Sequence, residues 1–359
     1  MTYPFLGLGF YTWSEKFSRN ITNTAPELQD INYTITNTGG DFVLRSNGTV
    51  NYTVNWGDGN SESSTSNALT HTYTAGDYTI TIDSDDAYYP YFVYNASDLE
   101  QITSVTIGAD ANLGSSLNGG SIQVAWWGAN NMTSFVCPFD VTSNITSVQR
   151  TWQNCSFPSF PLIDTSSVST VWFAWFGCSS LTSFPLLDTS SVTVFQGTWW
   201  NCTNLTSFPL IDTSSGINFQ YTWKDCSNLT SFPSIDTSSA AALSYTWNGC
   251  SSLTSFPVID LSGTINLNIS NAWSGCTSLT TFPVLDYSNV LYFFSSWLNC
   301  ALSVQSIENI LVALDTAGKS NVSTSVSGGT SAAKTTWSAA ANTAYANLIS
   351  KGWTVAHNP

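Results

Sequence analysis

The sequence predicts a mainly β protein in three parts: a β-sandwich, a β solenoid of about eight coils, and an α-helical C-terminal cap. Three patterns predict this arrangement. A Trp-x-x-Cys motif recurs about every 24 residues, segments that alternate polar and apolar residues precede it, and two segments with helical periodicity follow it. We therefore expect domains at residues 27–100, 101–303 and 304–359, after an N-terminal attachment segment at residues 1–26.

Composition limits the classes of partner. The chain has 359 residues, with 8 Lys and Arg against 23 Asp and Glu, and a net charge of −15. Because no basic cluster could neutralise a row of phosphates, we expect neither nucleic acid nor a membrane as a partner. The first residues lack the pattern of a secretory signal, and no run of 18 apolar residues occurs, so we expect no membrane span and release by lysis rather than secretion.

The residues upstream of the repeats predict half-buried strands. The segments VNYTVNW and DYTITI alternate polar and apolar side chains, and Gly57 and Gly59 permit a tight turn. The stretch WGDG, with HTY and GDY further on, resembles the PKD-type β-sandwich. The resemblance implies a spacer module, in which we expect Asp58 to be structural.

The middle of the chain repeats one unit. Its Trp-x-x-Cys pairs are Trp152/Cys155, Trp175/Cys178, Trp199/Cys202, Trp223/Cys226, Trp247/Cys250, Trp273/Cys276 and Trp297/Cys300. A degenerate first unit has Trp126, Ala129 and Met132 in the Trp, Cys and Leu positions and ends at Asp140, whereas Cys137 lies outside the register. The total is eight units.

A period of 24 residues predicts two short extended segments and two corners per coil. One segment is Leu-Thr-Ser-Phe, closed by Pro, and the other leads into the Trp. Coils stacked at about 4.8 Å, the spacing of paired strands, would align equivalent residues in ladders. We expect the Trp, Cys, Leu and Phe ladders to face inward, because each coil can bury its apolar side only against its neighbours.

The repeat consensus Trp-x-x-Cys-x-x-Leu-Thr-x-Phe, followed by Asp-Thr-Ser-Ser, resembles the BspA-type leucine-rich repeat of mycoplasma surface proteins and phage proteins. The resemblance covers roughly residues 101–303 and departs from the family in its nearly invariant Trp and in the Pro after the Phe. It implies a leucine-rich-repeat-type solenoid, preceded by the PKD-like domain and closed by a C-terminal cap.

The tail predicts two helices. SIENILVALDTAG suggests a helix capped by Ser306 and stopped by Gly318. A second helix carries Tyr345, Leu348 and Ile349 and ends at Gly352.

The Cys and Asp ladders each admit a structural and a chemical interpretation. The thiols are expected to be buried and free, with inter-coil disulfides or a metal site as alternatives. The carboxylates are expected to brace corners through turns with the following Ser and Thr residues, with bridging calcium or a glycosidase pair as alternatives. The Asp positions concerned are Asp164, Asp188, Asp212, Asp236, Asp260 and Asp286.

No nucleophile motif, phosphate-binding loop or dinucleotide fingerprint is present, so the sequence predicts no enzyme and no obligate cofactor. Two positions vary between units: the residue after the Trp and the residue two before it. In the middle units, aromatic residues gather at these positions and their neighbours. The alternative to a binding surface is that half of these aromatic residues belong to the buried core. The predicted ligand-binding residues are Trp172, Phe173, Phe176, Trp200, Tyr221 and Tyr245.

These features predict a noncatalytic adhesion protein on the surface of a phage virion, such as a head fibre, decoration or tail-fibre protein. Other virion proteins would hold its N-terminal segment, and a host surface glycan or protein would be its ligand. The alternatives are a bacterial cell-surface adhesin and, third, a polysaccharide depolymerase.

Overall fold

The structure, a computed structural model, describes residues 31–45, 51–84, 96–108, 121–138, 142, 144–264 and 266–359. The predicted attachment segment at residues 1–26 and the predicted corner residue Asp140 lie outside these residues.

Two sheets form the N-terminal part. The elements are β1 (Ile31–Asn37), β2 (Gly40–Arg45), β3 (Tyr52–Asn55), β4 (Ser61–Ser64), β5 (Ala68–Tyr73), β6 (Gly76–Ser84), α1 (Ala96–Leu99), β7 (Ile102–Ile107) and β8 (Ser134–Val136). Strands β2 and β5 pair antiparallel, and the other strands form one sheet in the order β4-β3-β6-β1-β7-β8. Alternate residues of β1 are buried, as its sequence pattern requires.

The larger sheet continues into the repeat region. Strand β7 pairs antiparallel with β1, and β8 pairs parallel with β7, so that Ser104 lies opposite Ser134. Since β8 belongs to the first repeat unit, the strands before residue 100 are not a self-contained sandwich. They share a sheet and a continuous buried core with the repeats.

The predicted fold class is wrong. Residues 101–303 were expected to form a leucine-rich-repeat-type β solenoid, but after β7 the described residues there contain only short strands: β8, β9 (Leu267–Asn268) and β10 (Val290–Tyr292). The sheets are small and separate and do not close into a solenoid. Successive repeats are joined instead by isolated parallel bridges, such as Thr170 with Val194 and Val194 with Asn218. We call these turn-rich repeats, residues 121–303, the repeat stack.

Backbone conformation explains the absence of strands. In the third repeat the residue two before the Trp, Phe173, has φ +53°, and the residue two after it, Gly177, has φ +73°. Left-handed residues at both places bend the segment that was predicted to be extended. Alternate backbone N–H groups therefore donate to carbonyls of the next repeat, as the N–H of Trp175 does to the carbonyl of Thr198. The N–H groups between them donate within their own repeat and close turns, as the N–H of Ala174 does to the carbonyl of Val171.

Two aromatic ladders fill the core of the repeat stack. Eight Trp rings, from Trp126 to Trp297, are fully buried and stack with centroids 5.2–6.1 Å apart. Beside them runs a ladder of Phe rings, most of them nearly perpendicular to the adjacent Trp rings, as Phe208 is to Trp199 and Trp223. The predicted burial of the Trp ladder and of the seven Cys that follow its Trp residues is confirmed.

The C-terminal tail mixes helix and strand rather than forming a purely helical cap. It contains α2 (Val304–Thr316), β11 (Ser323–Ser325), a short 3-10 helix (Lys334–Thr336), α3 (Ala339–Ser350) and β12 (Thr354–Ala356), with β11 and β12 paired parallel. The predicted cap residue was wrong, since Ser303 caps α2. Ser306 instead donates from its hydroxyl to the carbonyl of Thr280 and ties the tail to the repeat stack.

Candidate functional site: an aromatic face on the repeat stack

The variable positions of the repeats form one surface. The residue two before each Trp and the residue after it flank the inward-pointing ring, and the left-handed turn at the first of them directs its side chain away from the core. The structure brings all six predicted ligand-binding residues together on this surface, and each is half-buried. We call it the aromatic face, defined by Trp172, Phe173, Phe176, Trp200, Tyr221 and Tyr245.

The rings of the aromatic face form an unbroken series over four repeats. The ring centroids of Phe173 and Trp172 lie 5.4 Å apart in an edge-to-face contact, and those of Trp200 and Phe176 lie 5.0 Å apart. Trp200 then stacks on Tyr221 at 5.4 Å, and Tyr221 stacks on Tyr245 at 5.1 Å. The core alternative does not describe these rings, because they pack on one another and retain exposed surface, unlike the fully buried Trp ladder.

Backbone strain accompanies this choice of side chains. Phe173, Tyr221 and Tyr245 have φ values of +53°, +60° and +58°. A non-glycine residue in this region costs roughly 1–2 kcal/mol, and Gly197 and Asn271 show that residues better suited to it occupy the same position in other repeats. The backbone turn therefore does not explain why aromatic residues occupy these positions.

Gly197 has a second role in the aromatic face. A Cβ atom at this position would lie 2.7 Å from the ring of Phe173. The glycine in the fourth repeat therefore makes room for the Phe of the third, which lies 6.1 Å from Trp200.

Three further residues extend the aromatic face beyond the predicted set. The guanidinium of Arg150 lies 5.2 Å from the centroid of Trp127 and 4.9 Å from that of Trp172. Lys224 lies 5.0 Å from the Trp200 centroid and pairs with Asp225, which also accepts a hydrogen bond from the Trp200 indole at 3.2 Å. Trp127, Arg150 and Lys224 occupy the same two variable positions of the repeat. The variation at these positions therefore marks them as well, although only the aromatic residues clustered in the middle repeats were predicted.

The Asp ladder forms corner turns. In each corner a carboxylate oxygen accepts from the backbone N–H two residues later, as Asp212 does from Ser214 at 2.9 Å, and the Ser214 hydroxyl donates to the same oxygen at 2.7 Å. The Ser214 hydroxyl and then its N–H lower the pKa of Asp212. Thr213 donates to the carbonyl of Asp236 in the next repeat at 2.6 Å. These bonds support the predicted role as corner braces.

The thiols are buried hydrogen-bond donors. All eight Cys are free, and burial raises the pKa of Cys226 well above its ordinary value. Its Sγ donates to the carbonyl of Trp199 in the preceding repeat at 3.1 Å. A neutral, inaccessible thiol is a poor nucleophile and a poor metal ligand. Among the described residues, no three His, Cys, Asp or Glu side chains are grouped as a metal site would require.

Comparisons with known proteins add no relationship: no protein-family model matches the chain, and searches of curated proteins and of solved structures find no similar chain. Within the described part of the chain, no helix combines the length and apolar character needed to cross a membrane.

Proposed function

We propose that the protein is a noncatalytic adhesion protein that binds a surface glycan through the aromatic face. The observation that carries this proposal is the unbroken, half-exposed series of rings over four repeats. Pyranose rings present apolar C–H faces that stack on aromatic side chains, and the Ser, Thr and Asn residues around the face offer neutral hydrogen-bonding groups. A glycan chain laid along the repeat stack would contact several rings at once.

The setting of this activity is a phage virion, where many copies on one particle would add individually weak contacts. The resemblance of the repeat sequence to phage and mycoplasma surface proteins supports this location. Immunogold labelling of intact particles and of uninfected cells separates it from the alternative of a bacterial cell-surface adhesin. Label on cells grown without phage would favour the alternative.

The test of binding is a triple substitution in the aromatic face of the full-length chain: Phe176→Ser, Trp200→Ser and Tyr221→Asn. We expect binding of the labelled protein to host cells and to a glycan array to fall by at least roughly tenfold, because each stacking contact contributes about 0.5–1.5 kcal/mol. Asn is chosen for position 221 because Asn271 adopts the same backbone conformation.

A matched control removes exposed apolar side chains elsewhere on the same repeats. Leu186, Leu210 and Val258 are 61%, 61% and 62% exposed and follow the Pro of their repeats, away from the aromatic face. Their triple substitution by Ser should leave binding unchanged. Normal binding by the folded aromatic-face variant would exclude the aromatic face as the binding surface. Release of shortened glycan from the array would indicate a depolymerase.

A further inference from the structure

We infer that Arg150 and the rings of Trp127, Trp172 and Phe173 form an anion-recognition subsite at one end of the aromatic face, and that the glycan ligand is therefore acidic. The ligand unit would be a sugar carrying a carboxylate or a phosphate group. This inference rests on the proposed glycan-binding function and narrows it to a substrate class.

Three repeats contribute to the subsite. Trp127 belongs to the first repeat, Arg150 to the second, and Trp172 and Phe173 to the third. The Arg150 guanidinium carbon lies 5.2, 4.9 and 5.5 Å from the three ring centroids, so aromatic rings surround the cation. All four residues are half-buried, which leaves part of each available to a ligand.

Among the described residues, no carboxylate forms an ion pair with Arg150. The ion pairs of the described residues join His71 to Asp58, Lys224 to Asp225 and Lys351 to Asp315, so Arg150 is in none of them. Its Nε is buried and has no acceptor within the described part of the chain. In a chain of net charge −15, a cation held by rings rather than by a carboxylate is available to a ligand anion.

The chemistry of the side chain specifies the ligand group. A planar guanidinium donates two parallel N–H bonds to a carboxylate or a phosphate, and such charge-assisted bonds are about twice as strong as neutral ones. The rings restrict the rotamers of the side chain, so less entropy is lost when the anion binds. The ring of an acidic sugar held this way would lie beside the exposed parts of Trp127 and Phe173.

The backbone conformation at Arg150 also indicates that the side chain, and not the turn, accounts for the residue at this position. Its φ is +53°, in the position that Gly197 and Asn271 occupy in later repeats. Lys224 provides an internal comparison. It also lies over a ring of the aromatic face, but Asp225 neutralises it.

The experiment measures binding of the full-length protein to three immobilised probes: a uronate polymer (hyaluronan), a phosphorylated mannan, and a neutral polymer of N-acetylglucosamine. The variants are Arg150→Asn, which keeps a residue suited to the left-handed conformation, Arg150→Lys, and the control Lys334→Gln, which removes a ring-bound cation away from the aromatic face. Thermal melting of each variant confirms that it is folded.

We expect the parent to prefer one acidic probe over the neutral one, with the preferred probe identifying carboxylate or phosphate as the anion. Arg150→Asn should weaken that binding by at least roughly tenfold. Arg150→Lys should restore part of it, and Lys334→Gln, at a cation that lies 3.9 Å from the Tyr345 centroid in the C-terminal tail, should change it less than threefold. The neutral probe should bind parent and Arg150→Asn equally.

Two results separate the failure of the inference from that of the proposed function. If the parent binds glycan but folded Arg150→Asn binds the acidic probes as tightly as the parent, the anion subsite is wrong and the adhesion proposal stands. If the parent binds neither these probes nor any glycan of the array, the proposed function fails and the subsite fails with it.

Discussion

At the scale of single residues, the pairing of a Trp with a Cys three positions later has a hydrogen-bonding explanation. The carbonyl of Trp199 accepts the backbone N–H of Cys202 in its own repeat at 3.1 Å and the Sγ–H of Cys226 in the next at 3.1 Å. The same Sγ contact recurs along the stack at 3.0–3.4 Å. Cysteine thus fills a small apolar site and supplies a donor that joins neighbouring repeats.

The Trp ladder should dominate the stability of the repeats. Trp223→Ala removes a ring that stacks on two Trp neighbours and should lower the free energy of unfolding by about 3–5 kcal/mol. Trp223→Phe should cost less, because it leaves a smaller cavity and removes an indole N–H that is buried without an acceptor. Urea unfolding measures both. Trp200→Ala, at the half-buried surface, is the control, and an equal loss there would contradict the core assignment.

The thiols should be protected in the native protein and free when it unfolds. Because each buried Sγ–H is a donor and burial raises the thiol pKa, a thiol reagent at neutral pH should react with few of them. In denaturant, without reductant, all 8 Cys should react. Two or fewer reactive thiols in denaturant would instead show a disulfide ladder.

Acid should weaken the N-terminal sheets through Asp58. The backbone N–H of Asn60, at 3.0 Å, and the His71 ring, at 2.8 Å, lower the pKa of this carboxyl from 3.8 to about 2. Since the folded pKa lies below the unfolded one, the stabilisation is complete above about pH 4 and is lost as the pH falls toward 2. Asp58→Asn should therefore show a shallower fall of melting temperature between pH 5 and pH 2 than the parent. If the melting temperatures of parent and variant fall in parallel with pH, Asp58 does not cause the loss of stability in acid.

At the scale of the elements, each repeat is a set of turns held in place by side chains. The left-handed residues set the bends on the Trp side, and the Asp corners set the bend opposite. The carboxylate of an Asp corner accepts from a backbone N–H of its own repeat, and the backbone carbonyl of the same Asp accepts from a Thr hydroxyl of the preceding repeat. Side-chain bonds thus replace the ladder bonds that longer strands would have supplied.

The corners should not need calcium. Asp212→Ala removes two hydrogen bonds to one carboxylate oxygen and should cost roughly 1–2 kcal/mol, whereas Asp212→Asn keeps an acceptor and should cost less. A chelator should leave the melting temperature of the parent unchanged, because the protein itself occupies that oxygen. A fall of several degrees that added calcium reverses would show that metal bridges the carboxylates.

At the scale of the whole molecule, both ends of the repeat stack are covered. Strands β7 and β8 join the first repeat to the N-terminal sheet. At the other end Ser331 donates to the carbonyl of Cys300, Asn309 to that of Phe282, and Trp353 packs 5.4 Å from Phe293. Because a stack of repeats exposes its core wherever it stops, these ends must be closed for the protein to stay folded without aggregating.

Loss of the C-terminal contacts should destabilise the last repeats. Leu311→Ala, on the buried side of α2, should lower the free energy of unfolding by about 2–5 kcal/mol. Val312→Ala, on the outer side of the same helix and 39% exposed, should be nearly neutral. Removal of residues 304–359 should cause aggregation, measured by light scattering. A soluble truncated protein that melts like the parent would show that the tail does not close the stack.

The sequence alone determined the repeat, its register and the side chains that face inward, because an apolar residue that recurs at one place in every unit has few alternatives to burial. It also identified the aromatic face, since variation within a regular repeat marks positions that packing does not fix. The sequence did not determine the backbone path. A run such as INFQYTW alternates like a strand, yet Tyr221 adopts a left-handed conformation and the segment turns. Aromatic residues seldom take that conformation unaided, so tertiary contacts decided it: donation of the Tyr221 N–H to Ser244 in the next repeat and stacking of its ring between Trp200 and Tyr245. The cage around Arg150 likewise exists only after three repeats stack, because Trp127 and Trp172 lie 45 residues apart in the chain.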